Sequence, residues 1–133
     1  HFEQHIAKNH PEIFNFNHEE AGLDNRSDNK GPEPEGVTVG KIGEKTFAFI
    51  GLERVGGVMV YDVSTPTKPI FVQYINSREF KADTNAIEAG LAGDLGPEGL
   101  VFITAKDSPN GQPLLVVGNE VSGSTAIYQV TLK

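Results

Sequence analysis

The sequence predicts an all-β fold made of two copies of one antiparallel unit, and three observations point there. A Pro-Glu-Gly turn occurs twice, inside Gly31-Pro-Glu-Pro-Glu-Gly36 and again as Gly96-Pro-Glu-Gly99. Each turn is followed by short runs of β-branched and aromatic residues separated by Gly-containing reversals. The copies also keep register: Gly51 and Gly118, Glu53 and Glu120, Tyr61 and Tyr128, and Val63 and Val130 are each 67 apart, while Glu35 and Gly36 lie 63 before Glu98 and Gly99. The difference of four fits a longer first hairpin in the second copy, at residues 107–111.

Residues 1–30 form an irregular N-terminal segment holding all four histidines (His1, His5, His10, His18) and an Asn/Asp-rich run. Residues 2–7 read as a short edge strand, and 13–16 alternate so that Phe14 and Phe16 share a face. The first unit, residues 31–94, opens with strands at 36–39, 46–53 and 58–63, the Gly56-Gly57 pair reversing the second hairpin. Pro66 and Pro69 close that meander before a fourth strand at 70–75. Residues 76–94 are charged and alanine-rich and read as an inserted loop, with Asp83 or Thr84 capping a short helix that Gly90 ends. The second unit, residues 95–133, has strands at 100–104, 114–120 and 125–132 and stops there.

Two repeated sheets of about four antiparallel strands look like blades of a β-propeller, with a β-sandwich as the alternative. Two blades cannot close a ring, since a propeller takes at least about four. The expected partners are therefore the rest of a propeller, or further copies reached by self-association through exposed sheet faces. Residues 1–5 show neither a basic start nor an apolar export core and read as the interior of a longer protein.

The chain has 133 residues and a formal charge of −7, with no basic cluster, so nucleic acid is not an expected partner. No apolar run reaches the roughly 18 to 20 residues of a membrane-spanning helix. Cysteine is absent, which removes disulfides and thiol chemistry but leaves the compartment open.

Oxygen ligands are the most suggestive chemistry. Glu35 and Glu98 sit at equivalent turns where the first strand of each unit begins, and in a propeller those strands line the central channel. They could hold a divalent cation such as calcium, which takes several oxygens, or serve only to close a tight turn. Asp24 and Asp28, near Asn29 and Glu33, add to the densest oxygen cluster, without EF-hand spacing. Glu53 and Glu120 end the second strand of each unit and, with Gly51 and Gly118, read as structural turn and strand-end positions. The histidines lack metal-ligand spacing and read as mostly exposed. No serine lies in a Gly-x-Ser-x-Gly setting, and no phosphate-cradling Gly loop leads into a helix.

The stretches 24–36, 49–62, 94–100 and 115–123 together resemble the bacterial choice-of-anchor I proteins, which are similar to proteins labelled putative alkaline phosphatases. The resemblance covers nearly all of the chain after Asp24. It implies the C-terminal portion of an exported bacterial β-propeller, extracellular, periplasmic or attached to the cell surface. It transfers no catalytic residue. The reading that follows is a scaffold or binding module; the alternative is a metal-dependent phosphoester hydrolase, in which Glu35 and Glu98 hold metal ions that activate water.

Overall fold

The computed structural model describes residues 1–19 and 22–132. The chain after Glu33 is a meander of four strands, β1 (Pro34–Ile42), β2 (Lys45–Leu52), β3 (Val58–Asp62) and β4 (Ile70–Ile75), joined side by side in sequence order. After a short helix, α1 (Thr84–Glu88), come β5 (Pro97–Ile103), β6 (Leu114–Asn119) and β7 (Ser124–Gln129), again in sequence order. The second sheet thus has three strands, matching the three runs read in residues 95–133 but one short of the repeated four-stranded blade pattern that was expected. All pairings are antiparallel.

The repeat survives at the level of register. Val37 pairs with Ile50 and Leu100 with Val117, while Ala48 pairs with Tyr61 and Leu115 with Tyr128. Each opening strand also carries an irregularity at the same place, between Pro34 and Val37 in one and between Pro97 and Gly99 in the other.

The two sheets pack face to face. Phe47 and Phe49 of β2 and Val58 and Val60 of β3 meet Leu115 and Val117 of β6, with Leu100 and Phe102 closing over them. Phe49 and Phe102 stack with ring centroids 5.6 Å apart. Close approach depends on glycine: a Cβ on Gly40 would lie 2.4 Å from the Phe102 ring, and one on Gly36 would lie 2.1 Å from the Glu98 carbonyl. Two sheets stacked in this way suit a sandwich, and they also suit a pair of neighbouring blades.

The opposite face of the first sheet is covered by the N-terminal segment. Residues 2–9 are helical rather than an edge strand (Phe2–Asn9), followed by a 3₁₀ turn at Pro11–Ile13 where strand alternation was expected. Phe2 and Ile6 share a face at either a two-residue or a four-residue period, so the short run serves both structures. As a helix it places Ile6 with Ile13, Phe16, Leu52, Val55, Met59 and Tyr61 in a second core, against which Phe2 and Phe14 pack. Each fully buried side chain of this size contributes about 1.5–3 kcal/mol. β2 and β3 are consequently buried on both faces, which explains their nearly unbroken apolar runs.

Residues 76–94 fold back onto this layer. The buried Arg78 guanidinium donates to the carbonyls of Arg54 and Asn17 and lies over the Phe16 and Phe80 rings at 4.9 and 5.1 Å. The Asp83 side chain accepts from the Ala86 N–H at 2.9 Å, capping α1. No helix among the described residues is long and apolar enough to cross a membrane.

Candidate functional site: a repeated carboxyl pair

Both units open on a turn whose residue before the proline is left-handed, Glu33 at φ 54° and Gly96 at φ 72°. Each turn is pinned to the end of the following strand: the Glu53 N–H donates to the Glu33 carbonyl at 2.8 Å, and the Glu120 N–H to the Gly96 carbonyl at 2.9 Å. This pinning sets a glutamate at the end of the second strand beside the glutamate of the Pro-Glu-Gly turn. The result is a carboxyl pair in each copy, Glu35 with Glu53 and Glu98 with Glu120.

In the first copy Glu33 adds a third carboxyl, and one oxygen from each of Glu33, Glu35 and Glu53 lies within 4.8 Å of the others. Glu33 and Glu53 are 5% and 6% exposed, whereas Glu35 is open to solvent. Burial resists charge on Glu33, but hydrogen bonds from Lys30 and Arg54 outweigh it and hold that carboxyl below its ordinary range. The Arg54 Nε contact with Glu33 is 2.8 Å, and Arg26 stands behind at 3.7 Å. Glu53 is less well compensated: burial, a hydrogen bond with Glu35 and the Glu33 charge push it up to about 7. In the second copy the hydrogen bond with Glu120 and its charge raise Glu98, and Glu35 adds to this from the neighbouring sheet.

Glu35 and Glu98 therefore feel one another, but each is bonded first to its own strand-end glutamate. Asp24 and Asp28 lie on the exposed loop and do not belong to the carboxyl group; Asp24 is left-handed and accepts from Ser27. The reading of Glu53 as a strand-end residue is incomplete, because its side chain joins the cluster. Its signal lies in the hairpin register: pairing Pro34 with Leu52 places residue 33 opposite residue 53, and both are glutamates. Gly51 makes room for Pro97 and Leu100 of the facing sheet, while its counterpart Gly118 has the Gly99 carbonyl alone within reach of an added Cβ.

The expectation of mostly exposed histidines is corrected: only His1 is exposed, while His5 and His10 are half-buried against Phe71 and Tyr74. His18 is buried, with Nδ1 at 3.3 Å from the Glu53 carbonyl and Nε2 at 2.5 Å from the Arg54 guanidinium. Burial lowers its pKa, Arg54 adding to the effect against the pull of Glu53 and Glu19. A neutral His18 accepts from Arg54 and so orients the cation that faces Glu33.

Residues 1–66 match the family model of the choice-of-anchor I domain. That match supports the family read from the turn and strand motifs and takes in the whole carboxyl trio. Two curated relatives align with the chain as well. Gigasin-3a of Magallana gigas is 29% identical over 136 residues, which covers 96% of this chain and 48% of that protein. The mesenchyme-specific cell surface glycoprotein of Strongylocentrotus purpuratus is 25% identical over 135 residues, or 94% of this chain and 17% of that protein. The chain thus spans about half the length of the first relative and a smaller share of the second. Both are animal proteins and neither is named a phosphatase, so these relatives do not support the bacterial source and phosphatase label that the resemblance implied. No solved structure matches.

Proposed function

We propose that this chain is a non-catalytic scaffold or binding module of an extracellular or cell-surface protein, built as two consecutive propeller blades whose opening turns bind a divalent cation such as calcium. The choice-of-anchor I match and the relative named as a cell surface glycoprotein support the setting. The observation that carries the cation reading is the meeting of Glu33, Glu35 and Glu53. Three carboxylates offer up to six oxygens, the lower end of what calcium takes. Glu33 is already paired with Lys30 and Arg54, and one Glu53 oxygen lies 3.5 Å from the Arg54 Nε, so the oxygens most open to a cation are those of Glu35, with Glu53 beside it.

The phosphoester hydrolase alternative needs, besides metal, a cation free to clamp the phosphoryl group. Arg54 and Lys30 are the nearest candidates, and both are engaged by Glu33.

Calorimetric titration of the whole chain with calcium at pH 7.5 tests the reading. Saturable binding in the range of about 0.1–1 mM, typical of extracellular modules, is expected, with loss of binding in a Glu35→Gln, Glu53→Gln variant. Absence of heat and of thermal stabilisation at about 5 mM calcium, well above that range, overturns it.

A further inference from the structure

We propose that the outer face of the second sheet is a docking surface for β1 of a second copy of this chain, bound head to tail. The reasoning starts from the interface already present. Gly36 and Gly51 on the first sheet form a bare patch into which the Leu100 side chain settles: its Cδ1 would lie 2.6 and 3.0 Å from added Cβ atoms. Phe102 covers Gly40 in the same way, so β5 reaches the first sheet through residues 100 and 102.

The repeat register translates this interface by one unit. Gly99 and Gly118 are the counterparts of Gly36 and Gly51, and they face each other across β5 and β6 as one pair. An added Cβ at Gly99 meets nothing, and around it Val101 and Ile127 are 57% and 64% exposed, with Val116 half-buried between them. A shallow recess bordered by Glu98, Asn119 and Ser124 lies at the same place. Here is the acceptor half of the internal interface, without a donor among the described residues.

The donor half exists on the same molecule. Val37 and Val39 are the counterparts of Leu100 and Phe102, and they point away from the second sheet, 63% and 57% exposed. The N-terminal segment covers the β2 and β3 part of that face but leaves these two valines open. A second copy that sets Val37 over Gly99 and Gly118, with Val39 over Ile103, therefore continues the interface the chain already makes with itself, a valine and an isoleucine standing there for Phe102 and Gly40. Such a contact joins unlike surfaces, so each bound copy leaves one donor and one acceptor free and association proceeds past the dimer, to a ring or a filament. The inference rests on the blade-like repeat proposed above and owes nothing to cation binding, which calorimetry reads separately.

Sedimentation velocity of the whole chain from roughly 10 µM to 1 mM, the span of weak specific contacts, tests it. The expected result is a concentration-dependent series beyond the dimer. A Val37→Glu, Val39→Glu variant loses the donor, and a Val101→Lys, Ile127→Lys variant loses the acceptor; each alone sediments as a monomer, and their equimolar mixture forms a one-to-one dimer and nothing larger. All four positions are exposed, and circular dichroism checks that the variants fold; Gly99→Phe, filling open space, is the second acceptor variant. A wild-type monomer at the highest concentration, association that survives either set of changes, or a mixture that stays monomeric overturns the proposal.

Discussion

Glu33 and Gly96 hold the same left-handed position in the two opening turns, φ 54° and 72°, yet the residue types differ in their freedom to be there. A non-glycine residue with φ in this region costs about 1–2 kcal/mol, so Glu33 is retained against a backbone penalty that Gly96 does not incur. Its side chain supplies the compensation, pairing with Lys30 and Arg54 at the heart of the carboxyl cluster. Removing the side chain with and without relief of strain separates the two terms. Glu33→Gly is expected to be more stable to urea than Glu33→Ala by about 1 kcal/mol, with both variants losing the contact to Arg54. Equal stability of the two would show that the turn stores no strain.

Glu53 makes the fold sensitive to pH. Its folded pKa of about 7 stands above the ordinary value of 4.5, so the folded chain binds a proton there that the unfolded chain has released. The associated stability is fully present below pH 4.5 and is lost as pH rises toward 7. With chelator present, the melting temperature of the wild type is expected to fall over that window more steeply than that of Glu53→Gln, which carries no charge to desolvate. Calcium should raise the wild-type melting temperature toward the upper end of that window, where the carboxylates are ionised, and so flatten the fall between pH 4.5 and 7. Parallel melting curves for the two proteins from pH 4.5 to 7 would remove Glu53 as the source.

Much of this architecture is legible in the sequence because sheets obey a short period and the chain repeats itself. The 67-residue offset that links Gly51 to Gly118 and Tyr61 to Tyr128 reappears as paired strands in the same register, and residues 70–75 form the strand expected of them. What was not legible depends on choices made across space. The fourth strand departs from strict alternation because its register slips between Val60 and Tyr61, which brings Phe71 and Tyr74 to one core. The N-terminal helix is set by what Phe2 and Ile6 find beneath them, a double-sided sheet whose second face needed a cover. The burial of His18 follows from Glu53 and Arg54, 35 and 36 residues further along.

The inequality between the two glycine pairs predicts opposite tolerance to one chemical change. At Gly36 an added methyl collides with the backbone carbonyl of Glu98, which cannot rotate aside, while at Gly99 it enters open space. Gly36→Ala is expected to destabilise the chain by about 1–3 kcal/mol, the range for overpacking. Gly99→Ala should lie within about 0.5 kcal/mol of wild type when both are measured by urea unfolding at a dilution where the chain is monomeric. Similar losses at both sites would mean that the sheets are not stacked through β1 and β5.

Arg78 tests whether the N-terminal layer and the 76–94 segment act as one body. Its guanidinium is buried against Phe16 and Phe80, and burial lowers its pKa to about 10, a departure that leaves it charged at neutral pH. The charge is answered by carbonyls, Arg54 at 3.0 Å and Asn17, with no carboxylate paired to it among the described residues. One of these belongs to the strand-end turn beside the carboxyl cluster and the other to the N-terminal segment, so the side chain ties both to the inserted loop. Arg78→Met keeps the apolar stem but abandons two carbonyls in a buried setting, at about 1–3 kcal/mol for each polar group left without a partner. The expected outcome is a loss of stability to urea together with faster proteolysis within residues 1–18, because the cover over the first sheet is released before the sheet itself. Uniform protection of that segment in the variant would show that the helix and 3₁₀ turn are held by their apolar contacts alone.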